Sequence, residues 1–266
     1  MTTGEANIAP TGEPEDFLDE TVEFPDGSRF KRLHAITDLR KDPGEARILY
    51  FCERTDTNDS DPRDDKEYVM KIKAQWPGPQ NIVHEGPSPQ TAAELQVLQI
   101  FRDRKIEGVP QLVTWKKTTQ PKNGVHPGGY LVYTVMTRVP GQSLWDLGYW
   151  STPDTLRSQI QQSFLVKLRE IRALGIAPFD CALRNVMWDK EHSKVGIVDF
   201  EHYREIIEDI RDETVELQRW GLVSRPIPGT WWQEWGLKAK EAVETGIVSS
   251  YPVGKHSVEG GSSSQQ

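Results

Sequence analysis

The first half of the chain alternates short apolar runs with clusters of turn-forming residues. Residues 30–37, 47–54 and 67–73 are rich in β-branched and aromatic side chains, and groups of Asp, Pro, Gly and Asn separate them. Runs of this length and composition predict consecutive antiparallel strands. The polar stretch 55–66, between the second and third runs, predicts a solvated loop.

One helix is predicted within this region. Ser88 and Pro89 are typical of a helix N-terminus. The apolar residues that follow recur at spacing three and are Leu95, Leu98 and Phe101. Two further strand-like runs, 109–115 and 130–136, come after the helix. The first half of the chain therefore predicts a sheet with one helix.

From residue 151 onward the apolar spacing is that of a long amphipathic helix. The apolar positions recur at intervals of four and three residues and are Leu156, Ile160, Phe164, Leu168 and Ile171. A hairpin-like pair of runs, 184–189 and 194–200, comes next, and helix-like sequence follows it. We therefore predict a sheet-rich lobe and a helical lobe that join near residues 137–141, with a ligand cleft between them.

The two ends of the chain differ from the rest. The first thirty residues carry few large apolar side chains, and the last thirteen are rich in Gly and Ser. Segments of this kind bury too little surface to offset the entropy of ordering them. The predicted organisation is a disordered acidic tail over 1–29, an N-terminal lobe over 30–137, a C-terminal helical lobe over 138–254 and a disordered tail over 255–266.

The composition narrows the classes of function. The 266 residues include 32 Lys and Arg against 40 Asp and Glu, a formal net charge of −8. This balance argues against nucleic acid as a partner, because such binders need a surplus of phosphate-neutralising cations. No apolar run approaches the roughly 18 residues of a membrane helix, and the first residues lack a basic and apolar leader. We therefore expect a cytoplasmic protein with no membrane partner. Its two cysteines, Cys52 and Cys181, are too few for a disulfide framework.

Five polar residues interrupt apolar segments or end them, where a charge is costly unless it is paired or holds a metal. They are Lys71, Glu94, Asp180, Asn185 and Asp199. Each has an ordinary alternative: a strand lysine usually faces solvent, with Lys73 expected to point away from Lys71, and loop Asp or Asn residues usually bond their own backbone. The set taken together, in this order and spacing, is much more specific than any one member.

The chain resembles the protein-kinase-like superfamily over about residues 30–205. The segment YVMKIK is similar to the strand with that family's lysine, AAELQVLQ to the helix with its partner glutamate, and VMTRVPGQSL to the linker between the lobes. LGIAPFDCALRNVMWD followed by VGIVDFE resembles the catalytic loop and the strand with the metal-binding aspartate. The resemblance implies an α+β, bilobal protein-kinase-like fold, with an N-terminal antiparallel sheet plus one helix and a reduced, mainly helical C-terminal lobe. It also implies that Met136, in the linker, contacts the cofactor ATP.

The resemblance implies further roles in phosphoryl transfer from ATP. Lys71 would hold the α- and β-phosphates and pair with Glu94, which fixes its position. Asn185 and Asp199 would hold Mg²⁺, since hard cations take oxygen ligands. Asp180 would accept the proton of the attacking hydroxyl or orient it.

The sequence also departs from protein kinases at several points. The turn ITDLRKDPGEAR has one glycine, Gly44, where protein kinases have a glycine-rich loop over the phosphates. Pro178 replaces the usual histidine two residues before Asp180. Glu201 stands where protein kinases have glycine, which is more similar to the aminoglycoside phosphotransferase and choline kinase-like branch and would add a metal ligand. No long activation segment follows Glu201.

We therefore expect an ATP- and Mg²⁺-dependent phosphotransferase that acts on a hydroxyl of a small molecule. The aromatic residues Trp231, Trp232 and Trp235 either line the acceptor pocket or pack in the core. The alternative function is that of a pseudokinase, a catalytically weak or inactive module that binds a protein partner. The glycine-poor turn and Pro178 favour this alternative.

Overall fold

The N-terminal half of the computed structural model is an antiparallel sheet of seven strands. The strands are β1 (Thr21–Glu23), β2 (Arg29–Ala35), β3 (Arg40–Asp42), β4 (Glu45–Arg54), β5 (Tyr68–Gln75), β6 (Leu112–Thr119) and β7 (Tyr130–Thr137). Their order is β1-β2-β4-β5-β7-β6, and β3 pairs with β4. The structure describes residues 17–42, 44–56, 67–78, 80–206 and 209–223.

The two faces of this sheet differ in what they bury. Ile48 and Tyr50 of β4 and Ile72 of β5 lie in an apolar cluster on one face, because side chains alternate along a strand. Lys71 of β5, which has the other orientation, is buried on the opposite face. There it lies beside Glu94 of the helix α1 (Pro89–Arg104), with a charged rather than apolar contact. The central strand is therefore apolar on one side and charged on the other.

Helix α1 begins and ends where the sequence places its signals. The Ser88 hydroxyl accepts a hydrogen bond from the Thr91 backbone N–H at 3.2 Å, and Pro89 is the first helical residue. The helix ends at Lys105, which has a left-handed φ of 51°. Leu98 and Phe101 are fully buried and anchor the helix. Leu98 packs against Leu112 and Met136 of the sheet, and Phe101 packs in the core of the second lobe.

The second lobe is built around α2 (Asp154–Arg172). Its other elements are β8 (Gln142–Ser143), β9 (Ile176–Pro178), β10 (Val186–Asp189), β11 (Lys194–Ile197), β12 (Tyr203–Glu205) and α3 (Glu213–Arg219). Strands β11, β10 and β8 form one small sheet, and β9 pairs with β12. Gly141 allows β8 to approach β10, because a Cβ there would overlap the carbonyl oxygen of Trp188. Phe164, Leu168 and Trp220 fill the core of this lobe.

The predicted α+β class, with an antiparallel sheet plus one helix ahead of a second lobe, is confirmed. The predicted runs 30–37, 47–54 and 67–73 correspond to β2, β4 and β5. The tail assignment is wrong for residues 17–29, because β1 pairs with β2 and Leu18, Val22 and Phe24 are buried. Residues 1–16 and 224–266, with the three tryptophans, lie outside the described residues. No described helix is long and apolar enough to cross a membrane.

Candidate functional site

A cleft of about 870 Å³ lies between the sheet and the second lobe. Part of its wall is apolar, with Leu49, Phe51, Val69, Met136, Met187 and Val198. Five cationic and four carboxylate side chains also line it. An apolar wall with a few convergent charged groups is typical of a ligand site. Six of the seven predicted site residues line this cleft, and Asp180 does not.

Lys71 contacts three carboxylates. Its Nζ lies 2.8 Å from Glu94 Oε1 and 3.6 Å from Asp199 Oδ1, and it also contacts Glu201 Oε1. Burial alone would lower the pKa of Lys71, but these three carboxylates outweigh burial and raise it above its ordinary value. Lys71 is therefore cationic at any physiological pH. The predicted pairing of Lys71 with Glu94 is present in the structure.

Lys73 belongs to the same buried cluster. Its Nζ lies 3.3 Å from Glu45 Oε1, 3.4 Å from Glu201 Oε1 and 3.8 Å from Glu94 Oε2. The expectation that Lys73 points away from Lys71 is wrong, because residues two apart on a strand share a face. Burial raises the pKa of Glu94 above its usual value, although both lysines act in the opposite direction. The cluster thus places two lysines against one helix glutamate.

Glu201 sits among three cations. The Arg47 guanidinium donates from Nη1 to Glu201 Oε2 at 2.6 Å, while Lys71 and Lys73 approach Oε1. Burial would raise the pKa of Glu201, but the charges of Lys71, Lys73 and Arg47 lower it to about 2. Glu201 is therefore ionised at neutral pH. Its carboxylate joins β4 and β5 to the segment after β11 through ion pairs and a hydrogen bond.

Asp199 follows β11 on a turn that aims it at Lys71. Its φ of 67° lies in the left-handed region, which Asp tolerates better than most residues. The next residue, Phe200, is fully buried and contacts Phe101 of α1 edge to face, with ring centroids 4.7 Å apart. Asp199 Oδ1 is buried and makes no hydrogen bond to the described residues. The turn therefore places Asp199 in the wall of the cleft, with Oδ1 at ion-pair distance from Lys71 but without a hydrogen bond.

Asp180 forms a local ion pair beside the cleft, and its Oδ2 lies 3.3 Å from Asn185 Nδ2. Arg184 Nη2 donates to the two carboxylate oxygens of Asp180 at 2.7 and 2.9 Å. Asn185 Nδ2 donates to the Asp180 main-chain oxygen at 3.0 Å, which leaves the amide oxygen of Asn185 available to a cation. Unlike Asp180, Asn185 is buried and lines the cleft.

A short strand pair braces the loop that carries Asp180. Pro178 of β9 lies opposite Tyr203 of β12, and the Phe179 N–H donates to the His202 carbonyl oxygen at 2.8 Å. These contacts join the loop before Asp180 to the segment after Glu201. The loop is therefore braced by backbone contacts at Pro178 and Phe179.

The donor atoms of the site suit a hard cation. Carboxylate oxygens of Glu94, Asp199 and Glu201 lie within 4.8 Å of one another. Glu94 contacts Lys71 and Lys73, and Glu201 contacts both lysines and Arg47. Asp199 forms an ion pair with Lys71 alone among the described residues, so it is the ligand with the fewest competing cations. The amide oxygen of Asn185 and the carboxylate of Glu201 complete an all-oxygen set of the kind Mg²⁺ prefers. The residues present therefore fit Mg²⁺.

Sequence reasoning missed three charged residues of this site. Arg47 and Glu45 share one face of β4, and Lys73 shares the face of Lys71 on β5. The signal was the period of two along each strand, which places every second residue on the cleft side. The cross-strand register then sets Arg47 opposite Lys73 and Leu49 opposite Lys71.

The similarity of this chain to known proteins lies in its structure. No model of a known protein family matches the chain, and no curated protein matches it. Among solved structures the chain is similar to the kinase PK-1 of Cydia pomonella granulovirus, with 16% sequence identity and a TM-score of 0.44. The match covers 69% of this chain and 55% of the viral kinase, so this chain spans about half the length of that protein.

Proposed function

We propose that the protein is an ATP- and Mg²⁺-dependent phosphotransferase of the kinase-like superfamily, in the aminoglycoside phosphotransferase and choline kinase-like branch. The observation that carries this proposal is the buried ion pair of Lys71 and Glu94, with Asp199 Oδ1 3.6 Å from the lysine, inside a cleft. Phosphoryl transfer depends mainly on positioning and on charge neutralisation. Glu94 fixes the position of the Lys71 ammonium group, which can neutralise phosphate charge. Asp199 adds a carboxylate oxygen that has no hydrogen bond to the described residues.

The cleft offers separate environments for the base and the phosphates of ATP. Val69, Met136 and Val198 lie on its apolar wall and would hold the adenine ring. Lys71 would bind the phosphates, and Glu94 keeps its ammonium group in place. Because both charges are buried, their positions are set before the nucleotide arrives.

The three oxygen donors Asp199, Asn185 and Glu201 would hold Mg²⁺. When bound, the ion neutralises phosphate charge and orients the terminal phosphate. Asn185 is fixed for this task by its hydrogen bond to the Asp180 backbone. Glu201 is kept ionised by its three cationic neighbours, so it remains a competent oxygen ligand at neutral pH.

Asp180 would accept the proton of the acceptor hydroxyl at one of its carboxylate oxygens. In the structure Arg184 occupies both oxygens. The acceptor hydroxyl would therefore exchange with one of the two hydrogen bonds from Arg184. Asp180 and Arg184 are both about one-third exposed, so this exchange needs no unpacking of the core.

We propose a small molecule as the acceptor. Strand β12 ends at Glu205 and α3 begins at Glu213, so the chain between Asp199 and the next helix is short. A peptide substrate needs an extended platform beside the transferred phosphate, and a segment this short offers little of one. A hydroxylated metabolite needs only a pocket.

One observation favours a second candidate function. Asp180 does not line the cleft, whereas the other predicted site residues do. A pseudokinase would retain nucleotide binding at Lys71 and Asp199 without transferring phosphate, and would act by binding a protein partner. The two functions differ in turnover and share the nucleotide site.

The nucleotide site is tested by thermal unfolding with and without Mg-ATP. A ligand that binds only the folded protein at about one hundred times its Kd stabilises it by about 2.7 kcal/mol, a shift of several degrees in Tm. We expect this shift in the wild type and its loss in Asp199→Asn, which keeps a residue tolerant of the left-handed φ. Asp103→Asn, on the exposed face of α1, is the matched control and should shift like the wild type.

Transfer is tested separately with γ-labelled ATP and a panel of hydroxylated metabolites. An enzyme transfers label to at least one of them, and Asp180→Asn lowers its turnover more than its nucleotide affinity. A Mg-ATP shift without transfer to any acceptor supports the pseudokinase instead. Absence of a Mg-ATP shift in the wild type overturns both.

A further inference from the structure

We propose that the polyphosphate of the nucleotide is bound by two arginine side chains, Arg40 and Arg47, of the β3–β4 hairpin. This inference rests on the proposed function and assigns to guanidinium groups the task that a glycine-rich loop performs with backbone N–H groups. The ligand class is a nucleoside triphosphate, recognised through its β- and γ-phosphates. Arg40 lies on β3 and Arg47 lies on β4, and these two strands pair in a defined register.

The hairpin places both arginines in the cleft beside Lys71. Arg40 of β3 is the direct cross-strand partner of Arg47 of β4, so their side chains share a face. Both line the same cleft as Lys71. In the β4–β5 pair, Leu49 lies opposite Lys71. Arg47 lies two residues before Leu49 on β4, so its side chain is the next one on the same face. Three cations thus extend along one wall.

The backbone of the hairpin offers little space for phosphate by itself. Gly44 is the one glycine between β2 and β4, and its φ of 89° places it at the tip of the turn. Every other residue of this segment carries a side chain, which limits how closely a phosphate can approach the backbone. Side-chain donors therefore replace the backbone donors that several glycines would expose.

The charges of the pair are left incompletely neutralised. The Arg40 side chain makes no hydrogen bond or ion pair with any residue that the structure describes. Arg47 contacts Glu201 through Nη1 and lies 3.7 Å from Asp42 through Nη2. Like charges directly opposite each other on a ladder repel. An anion between the two guanidinium groups removes this repulsion.

The geometry of guanidinium suits phosphate better than the ammonium group of Lys71 does. Each arginine has five N–H donors in a planar fork that matches two phosphate oxygens, whereas lysine binds as a point charge. Arg47 uses few of its donors on Glu201 and Asp42. The remaining donors and all those of Arg40 are available. Triphosphate should therefore bind more tightly than a nucleoside without phosphate.

Titration calorimetry of the full chain tests this assignment. We compare the wild type, Arg40→Gln and Lys41→Gln with Mg-ATP, adenosine and inorganic tripolyphosphate. Lys41 is the matched control, because it is the next residue on β3, does not line the cleft and lies over the Trp76 ring. Arg40→Gln is preferred to a change at Arg47, which would also release Glu201.

We expect Arg40→Gln to weaken Mg-ATP and tripolyphosphate by about tenfold, the effect of losing one charge-assisted contact. Adenosine affinity should not change, and Lys41→Gln should resemble the wild type throughout. Equal Mg-ATP affinity of the Arg40→Gln and Lys41→Gln proteins overturns the inference. If the wild type binds tripolyphosphate through Arg40 but neither Mg-ATP nor adenosine, the proposed function fails and the arginine site stands. If it binds none of the three, both fail.

Discussion

The two charged regions of the site, the buried cluster around Lys71 and the loop at Asp180, are built in opposite ways. In the first, the side chains of Lys71 and Glu94 are each 6% exposed, and Lys71, Lys73, Glu94 and Glu201 each contact at least two groups of opposite charge. In the second, the side chains of Asp180 and Arg184 are 31% and 34% exposed, and one local ion pair holds the carboxylate.

This difference follows from burial. A buried charge without a partner is costly, so the cluster is specified by the need of each member for the others. An exposed carboxylate has water as an alternative partner, so its position is set by weaker forces. The buried cluster is therefore pre-organised for binding, while the exposed loop is free to exchange partners with an acceptor.

The largest effect expected from this contrast is that of breaking the buried cluster. Lys73→Met should lower the free energy of unfolding by about 3–5 kcal/mol, because Glu45, Glu94 and Glu201 then lose a cation that burial prevents water from replacing. Urea unfolding at neutral pH measures this change. Lys194→Met is the control.

Lys194 forms an ion pair with Glu107 while both side chains are more than two-thirds exposed. Its substitution should cost less than about 1 kcal/mol. Equal losses for Lys73→Met and Lys194→Met would mean that the cluster gains nothing from burial, and the contrast between the two regions would then disappear.

The cluster could be predicted in part from the sequence because its members break apolar patterns. Lys71 lies within a strand of buried residues, and Asp199 directly follows another apolar strand. The pairing of Lys71 with Glu94 followed from the resemblance to kinases. Their roles in ATP and Mg²⁺ binding remain predictions. A charged residue is most readily predicted to belong to a functional site where its neighbours in the sequence must be buried.

The rest depended on tertiary contacts that one sequence does not encode locally. Arg47 and Lys73 look like ordinary strand cations, and only the register of β4 against β5 brings them to Glu201. Strand β1 escaped prediction because three residues are too few to show a period. The position of Asp180 depends on a side-chain ion pair with Arg184, which spacing alone does not show.

The charge of Glu201 gives the buried cluster a pH dependence. Its pKa of about 2 in the folded protein lies below the ordinary value of 4.5, so the unfolded chain binds more protons between these values. Stability from Glu201 is therefore complete above about pH 5 and is lost as the pH falls towards 2. Glu201→Gln should be less stable than the wild type by about 1–3 kcal/mol at pH 6.

Urea unfolding of both proteins at pH 6 and pH 3 measures this dependence. The difference between wild type and Glu201→Gln should shrink at pH 3. Glu53→Gln, at the exposed end of β4, is the control and should show a small difference at both values. A difference that stays constant with pH would show that Glu201 stabilises the fold through packing rather than charge.

The smallest effect is expected at the exposed loop. Arg184→Gln removes an ion pair whose members are about one-third exposed, so it should lower the free energy of unfolding by less than about 1 kcal/mol. Because salt screens exposed charges, this small loss should become smaller still in 1 M NaCl, where the screening length is about 3 Å. Urea unfolding at low and high salt measures both values.

A loss above about 2 kcal/mol that salt does not change would place Asp180 and Arg184 in the same class as the Lys71 cluster. The loop would then be too firmly held to exchange Arg184 for an acceptor hydroxyl, which would favour the pseudokinase over the enzyme.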